Sequence, residues 1–335
     1  MSTAVTERRD STPPSAATPM LEVKDLVVRY GRGRKAAAAP AAVDHVSFSI
    51  APGETVGLVG ESGSGKSTIG KAILGLQKVS GGTITYQGKD ITSAGAAERR
   101  ALGGDLRAVF QDPNSSLNPR NTVGTSLAEP LRLRGVSAAE ARAKAEDMLE
   151  RVGLPRDAVD RYPSQFSGGQ RQRISVARAL ICDPKLVVCD EAVSALDLST
   201  QAQVLNLLAD LRDERGLSYL FIAHDIAVVQ FLAQRVVVLY RGQVMESGPA
   251  AAVTEDPRHP FTQALVAASP VPRPAEQAAR REARESLGVR TGAAAVPAPG
   301  GCPFRLRCPL ATELCATERP ALRRVGTADV ACHYA

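Results

Sequence analysis

Apolar and polar residues alternate from Leu21 to Tyr30 and again from Val43 to Ile50, the period of a half-buried strand. Between them, Gly31–Ala42 is rich in Gly, Arg and Ala, is closed by Pro40, and reads as a loop. The run Thr55–Val59 is of strand length and apolar, and residues 21–59 together are expected to form an antiparallel set. A helical start follows at Ile69–Leu74. Arg107–Phe110 predicts another strand, and the prolines and asparagines of Gln111–Arg120 predict a loop. From Val123 to about Leu180 the period becomes helical. Ser137-Ala138-Ala139-Glu140 has the form of a capping box, Met148, Leu149 and Val152 share a face, and Gly153 supplies a stop. This block reads as a helical insertion between core strands. Leu186–Cys189 is near-continuously apolar, as a parallel strand covered on both faces requires; a helix is predicted over Gln201–Glu214 and a further strand over Ser218–Ala223. Strands alternating with helices specify an α/β fold.

The ends of these apolar runs carry the chemistry. Gly60-Glu61-Ser62-Gly63-Ser64-Gly65-Lys66-Ser67-Thr68 fits the phosphate-loop pattern, between a strand and a helix as the pattern requires. Gly60, Gly63 and Gly65 let the backbone turn with its N–H groups inward, and the helix start adds partial positive charge. Lys66 is expected to reach the β- and γ-phosphates and the Ser67 hydroxyl to ligate Mg²⁺. Asp190 is placed to hold Mg²⁺ through water, Glu191 to polarise the attacking water, and His224 to hydrogen-bond the γ-phosphate. Ser167-Gly168-Gly169-Gln170 opens a helix and makes a second anion-binding start, although these residues alone favour a plain capped helix. Tyr30, an aromatic at a strand end, leaves packing and stacking on an adenine face both open.

Composition narrows the class. A chain of 335 residues, 44% hydrophobic, is long enough for about two domains, and no apolar run reaches the length needed to cross a bilayer. Residues 1–19 read as a disordered polar tail without the continuous apolar segment of a secretory signal. The net charge of +6 permits contact with nucleic acid or anionic lipid, but it is scattered rather than gathered into a stripe; this favours an ordinary solvated surface, decides nothing by itself, and leaves no nucleic acid partner expected.

In this order the motifs resemble those of the nucleotide-binding subunit of ABC (ATP-binding cassette) transporters, over residues 20–250. Tyr30 matches the adenine-stacking aromatic, Gly60–Thr68 the Walker A loop, Gln111 the Q-loop, and Ser167–Gln170 the family signature. Asp190 and Glu191 match the Walker B pair, Asp197 the D-loop and His224 the switch histidine. The resemblance implies a P-loop cassette: a RecA-like core with an antiparallel β subdomain and a helical subdomain at about 121–180. It implies ATP, with Mg²⁺ held by Ser67, Gln111 and Asp190, Glu191, His224 and Gln111 as catalytic residues, and Asp197 beside the nucleotide. It also explains two phosphate grips in one chain, since two such domains pack head to tail and the signature of one closes over ATP on the other. A narrower likeness, Phe110–Pro113, Ser116–Arg120, Cys189–Asp197 and His259–Leu265 with Ser269-Pro270, is to the oligopeptide/dipeptide importer branch, nearer its second (F-type) ATPase. Nickel and glutathione importers share these features. The implied partners are a second ATPase subunit in a heterodimer, two transmembrane permease subunits and, through them, an extracytoplasmic solute-binding protein. The implied location is the cytoplasmic face of the cell membrane, held peripherally. A soluble ABC ATPase acting on nucleic acid is the alternative, but the paired cassettes or long coiled-coil insertion usual there are absent from the sequence.

Residues 251–335 form the extension of that branch. From about Val271, Pro272, Pro274, Ala-rich runs and Arg280-Arg281 suggest a linker and a short charged helix. Cys302, Cys308, Cys315 and Cys332 follow at C-x5-C-x6-C-x16-C, whereas Cys182 and Cys189 read as buried thiols. Spacing alone leaves an iron–sulfur cluster, zinc or no ligand open. Some members of the branch carry a four-cysteine [4Fe–4S] cluster here, so the resemblance implies one.

Overall fold

The computed structural model describes residues 18–31, 39–112, 117–194, 196–269, 288–289 and 300–335. The polar tail up to residue 17, Pro113–Ser116 of the Gln111 loop, Ala195, and the linker and charged helix expected between 270 and 299 lie outside the described residues.

Two sheets organise the chain. In the first, β2 (Ala41–Ile50), β1 (Leu21–Arg29), β4 (Gly81–Tyr86) and β5 (Lys89–Asp90) are antiparallel neighbours in that order. In the second, β6 (Leu106–Val109), β7 (Leu186–Asp190), β8 (Ser218–Ala223), β3 (Thr55–Val59) and β9 (Arg235–Tyr240) run parallel, and β10 (Gln243–Pro249) continues the sheet antiparallel to β9. Thr55–Val59 thus corrects the antiparallel reading of residues 21–59, because it pairs in parallel with Ser218–Ala223 and Arg235–Tyr240 instead. All five of its residues are buried, and a strand without a wet face belongs in the middle of a covered parallel sheet.

Successive residues of the parallel strands enter opposite cores. Val187, Cys189, Tyr219 and Phe221 pack with the helical side, whereas Val188, Leu220, Ile222 and Leu58 pack with the antiparallel sheet and with α1 (Lys66–Ile73). The helical side contains α3 (Val123–Arg132), α4 (Ala138–Arg151) and α5 (Gly168–Leu180), preceded in the chain by the short α2 (Ala96–Leu102). Ser137 caps α4 by accepting from the Glu140 N–H at 3.2 Å. The capping box is only half made, because the Glu140 carboxylate pairs with Lys144 at 3.0 Å, one turn on, rather than reaching back. Gly153, at φ +72°, lets the chain leave the helix while Leu154 N–H closes on the Leu149 carbonyl at 2.9 Å.

α6 (Leu198–Arg215) and α7 (Ile226–Leu232) complete the crossovers of the parallel sheet. The C-terminal part is fused to the same body. α8 (Ala250–Glu255) and α9 (Pro260–Ala268) follow β10, and after α10 (Glu313–Thr317) the strands β11 (Arg323–Val325) and β12 (Ala328–Val330) add to the main sheet, Val330 pairing with Glu246. The fully buried Glu246 carboxylate accepts the Arg258 and His259 N–H groups at 2.9 and 3.0 Å. Phe304 lies 5.3 Å from Tyr240 and 5.4 Å from Phe261, ring centre to ring centre, which roots the cysteine segment in the core.

Candidate nucleotide site and cysteine centre

Because β3, β6, β7 and β8 are parallel, whatever follows each of them emerges at one sheet edge, the usual place for ligands in such sheets. The phosphate loop follows β3, Gln111 follows β6, Glu191 follows β7 and His224 follows β8.

In the loop, Gly60, Gly63 and Gly65 have φ of +151°, +77° and +102°. A Cβ on Gly65 would stand 2.4 Å from the Ala42 carbonyl oxygen, so the turn into α1 is open to glycine alone. Lys66 is buried and curls over the loop, its Nζ donating to the carbonyls of Gly60 at 2.7 Å and Glu61 at 2.9 Å. Burial pulls its pKa down, while Glu191, Asp190 and Glu61 pull the other way. Ser67 Oγ donates to Asp190 Oδ1 at 2.8 Å, which joins the loop to the end of β7. Burial pushes the Asp190 carboxyl up; the Ser67 hydrogen bond opposes this and the neighbouring Glu191 adds to it. A divalent cation is the partner that would relieve such a site, and the hydroxyl–carboxylate pair is the hard oxygen set Mg²⁺ takes.

Glu191 is a non-glycine residue at φ +51°, its N–H bonded to the Ile222 carbonyl at 3.0 Å. It shares a cavity of about 60 Å³ with Ser194, Gln201, Ala223, His224 and Asp225. His224 is exposed, and Asp225 behind it caps α7 by accepting from Ala227 N–H at 2.9 Å. Tyr30, half-exposed, lies 3.0 Å by its hydroxyl from Thr68 Oγ1, so the end of β1 reaches the start of α1.

Tyr30, Gly60–Thr68, Asp190, Glu191 and His224 are therefore gathered, with Gln111 exposed near the same edge. The remaining candidates cap helices of their own. Ser167 Oγ accepts from Gln170 N–H at 3.3 Å and Gln170 Oε1 accepts from Ser167 N–H at 2.9 Å, leaving the start of α5 open to solvent. Asp197 caps α6 by accepting from Thr200 N–H at 3.0 Å, and that bond holds its carboxyl below the usual range.

Two contributors escaped the sequence reading. Gln172 is buried and donates to the Ala192 carbonyl at 2.6 Å, tying α5 to the turn after Glu191; a glutamine on an otherwise apolar helix face was its one signal. Arg307, between two cysteines, donates to both Glu61 oxygens at 2.9 and 2.8 Å, a contact across 246 positions with no local signature.

The four C-terminal cysteines line one small cavity with His259, Phe304 and Tyr334, and every cysteine of the chain is a free thiol. Three of the sulfurs accept from the N–H two residues on, Cys302 from Phe304, Cys308 from Leu310 and Cys332 from Tyr334, and Cys315 Sγ lies 3.8 Å from the Thr312 hydroxyl. Burial and the other three sulfurs push the Cys302 thiol up to about 11, despite the Phe304 N–H. Among the described residues no three His, Cys, Asp or Glu side chains are close enough to hold one metal ion. Four soft sulfurs thus share one cavity, but among the described residues they are not arranged as a metal site.

Comparison with known proteins gives the family. Residues 43–194 match the family model described as ABC transporter, and residues 245–315 match that described as oligopeptide/dipeptide transporter, C-terminal region. A Brucella abortus (strain 2308) protein named a peptide import ATP-binding protein is 50% identical over 294 residues, covering 87% of this chain and 86% of its own. The chain belongs to the ABC transporter ATP-binding family. A Brucella ovis ABC protein with the same kind of name is 46% identical over 311 residues, 92% of this chain and 95% of that one. Among solved ABC structures, the cassette MJ0796, as a dimer in a post-hydrolysis state with ADP and Pi, aligns with a TM-score of 0.63 at 30% identity, over 69% of this chain and 99% of that one. The cbiO1 subunit from Clostridium perfringens, part of the ABC transporter complex cbiONQ, gives 0.64 at 25%, over 72% and 92%. Of the described residues, no helix is long and apolar enough to cross a membrane.

Proposed function

We propose that this chain is the ATP-hydrolysing subunit of an ABC importer for oligopeptides or dipeptides, lying peripherally at the cytoplasmic membrane face. Its partners are a second, non-identical ATPase subunit and two permease subunits that receive solute from an extracytoplasmic binding protein. The carrying observation is the convergence of the Lys66 loop, the Ser67–Asp190 pair, Glu191 and His224 on one strand edge, together with an exposed, capped helix start at Ser167. The peptide assignment is supported by the match over residues 245–315 and by the relatives' names. Nickel, glutathione or another small solute are the competing cargoes.

In this reading Tyr30 stacks on the adenine, and the N–H groups of Gly60–Thr68 with Lys66 Nζ bind the phosphates. Ser67 Oγ, Asp190 and Gln111 would hold Mg²⁺, which would supply positive charge beside the phosphate oxygens. Glu191 orients and takes a proton from the attacking water, and His224 holds the γ-phosphate. Ser167–Gln170 of this chain close over the phosphate held by the other cassette, whose equivalent helix start closes over this one, with Asp197 at the seam, so hydrolysis removes the contact that holds the two together. Cys302, Cys308, Cys315 and Cys332 would hold a [4Fe–4S] cluster, a group that supplies structural cross-linking or one-electron chemistry.

Purified with its permease subunits in vesicles, the complex is expected to hydrolyse ATP faster in the presence of peptide and binding protein. Stimulation by nickel or glutathione and not by peptide would replace the cargo. Anaerobically purified chain is expected to be brown with bound iron; a colourless protein, with stoichiometric zinc or with no metal, would remove the cluster.

A further inference from the structure

The cysteine segment does more in this fold than carry thiols. Its turn Phe304–Cys308 lies against the crest of the phosphate loop, and Arg307 donates from Nη1 to both carboxylate oxygens of Glu61. Arg307 is fixed from behind: its guanidinium lies 5.6 Å from the Phe304 ring centre and 5.9 Å from that of Tyr240, and its N–H closes the turn on the Phe304 carbonyl at 2.9 Å. Phe304 is itself fully buried against Tyr240 and Phe261, so the arginine stands on a rigid base. Glu61 links two cations at once, since its carboxylate takes Arg307 while its main-chain carbonyl takes Lys66 Nζ at 2.9 Å and Ser64 N–H at 3.1 Å. A cleft of about 280 Å³, lined by Glu61–Ser64, Tyr240, Arg241 and Arg307, lies beside the loop crest. A second contact from the same C-terminal part reaches the other side of the site, where Ser269 Oγ donates to Asp225 Oδ1 at 2.8 Å, next to His224.

We propose that Arg307 is a positioning residue for nucleotide binding: it holds the crest of the phosphate loop through Glu61, so that the C-terminal cysteine segment sets the affinity of the cassette for ATP. The inference rests on residues 60–68 being the ATP site. An exposed ion pair between two mobile side chains would contribute little. This one is partly shielded, at 23% and 43% side-chain exposure, and its arginine is braced by two rings, so removing it frees the loop whose N–H groups must converge on phosphate. Arg307 touches neither phosphate nor water in this role; it acts through Glu61.

The test uses the full chain, a fluorescent ATP analogue and steady-state hydrolysis in the assembled transporter. Arg307→Met keeps the stem on the aromatic rings and removes the donor. It is expected to weaken analogue binding three- to tenfold and raise the KM for ATP by a similar factor, with kcat within twofold and the melting temperature little changed. Arg307→Lys is expected to recover part of the loss, Glu61→Gln to reproduce it, and the Arg307→Met/Glu61→Gln double variant to be no weaker than the weaker single one. Unchanged binding in both single variants, losses that multiply in the double, or a fall in kcat with KM unchanged would each overturn the assignment. Wild-type chain that binds no analogue would instead remove the ATP reading beneath it.

Discussion

Glu191 is held at a positive φ that costs a non-glycine residue about 1–3 kcal/mol, and the structure keeps it there by bonding its N–H to Ile222 and its carbonyl to Ser194 Oγ. The strain aims its side chain into the cavity shared with His224 rather than along the strand. Glu191→Gln is expected to retain ATP binding and lose hydrolysis by about 10²–10⁴, the range of a general base; phosphate release measured beside analogue binding decides it, and near-normal turnover would reject the role. Lys66→Ala should weaken both binding and hydrolysis, with turnover down at least about a hundredfold. A separate residue-scale prediction concerns stability. His259 is buried, its Nδ1 accepts from Phe261 N–H at 3.0 Å, and burial lowers its pKa to about 4. The unfolded chain binds that proton from about pH 6.5 downward, so stability is highest above about 6.5 and falls as pH drops toward 4, by about 3 kcal/mol from this group. His259→Asn keeps a cap acceptor and should flatten that part of the denaturation profile against pH.

At the scale of the element, two serines with the same geometry separate structure from function. Ser137 caps α4 at 3.2 Å and Ser167 caps α5 at 3.3 Å, both on exposed helix starts. Ser137→Ala is expected to cost about 1 kcal/mol of stability and leave hydrolysis alone, whereas Ser167→Ala should cost about the same stability and also suppress hydrolysis in the assembled pair. Equal hydrolysis in the two variants would return Ser167 to an ordinary cap. The element scale is also where local pattern failed in instructive ways. Thr55–Val59 looked like the next member of an antiparallel series because it follows two alternating strands closely, but its unbroken burial requires neighbours from 160 residues downstream. Glu140 had the right position for a capping box and found Lys144 closer to hand. Strands as short as Arg323–Val325 and Ala328–Val330 have no period to read at all; they exist because β10 left an edge to be paired.

The Gly60–Thr68 loop, Asp190, Glu191 and His224 meet at one sheet edge, and Ser167 opens an exposed helix start that in the proposed reading serves a second cassette. Hydrolysis by this chain mixed with its partner ATPase subunit should therefore rise faster than linearly with their concentration, and turnover per subunit independent of dilution would mean that no second cassette is needed. The sequence by itself determined the ligand chemistry, since the phosphate loop, the carboxylates ending an apolar run and the histidine ending another are local patterns whose spacing follows from backbone geometry. It showed several of the buried strands as well, through hydrophobic period, but not Arg235–Tyr240, which is buried beside Thr55–Val59 and was not read from it. Which strand lies beside which, the Ser67–Asp190 bond across 123 positions and the grip of Arg307 on Glu61 were decided only by tertiary structure. Those contacts join residues far apart in the chain, and their register is fixed by how two cores pack on opposite faces of one sheet, which no window of the sequence contains.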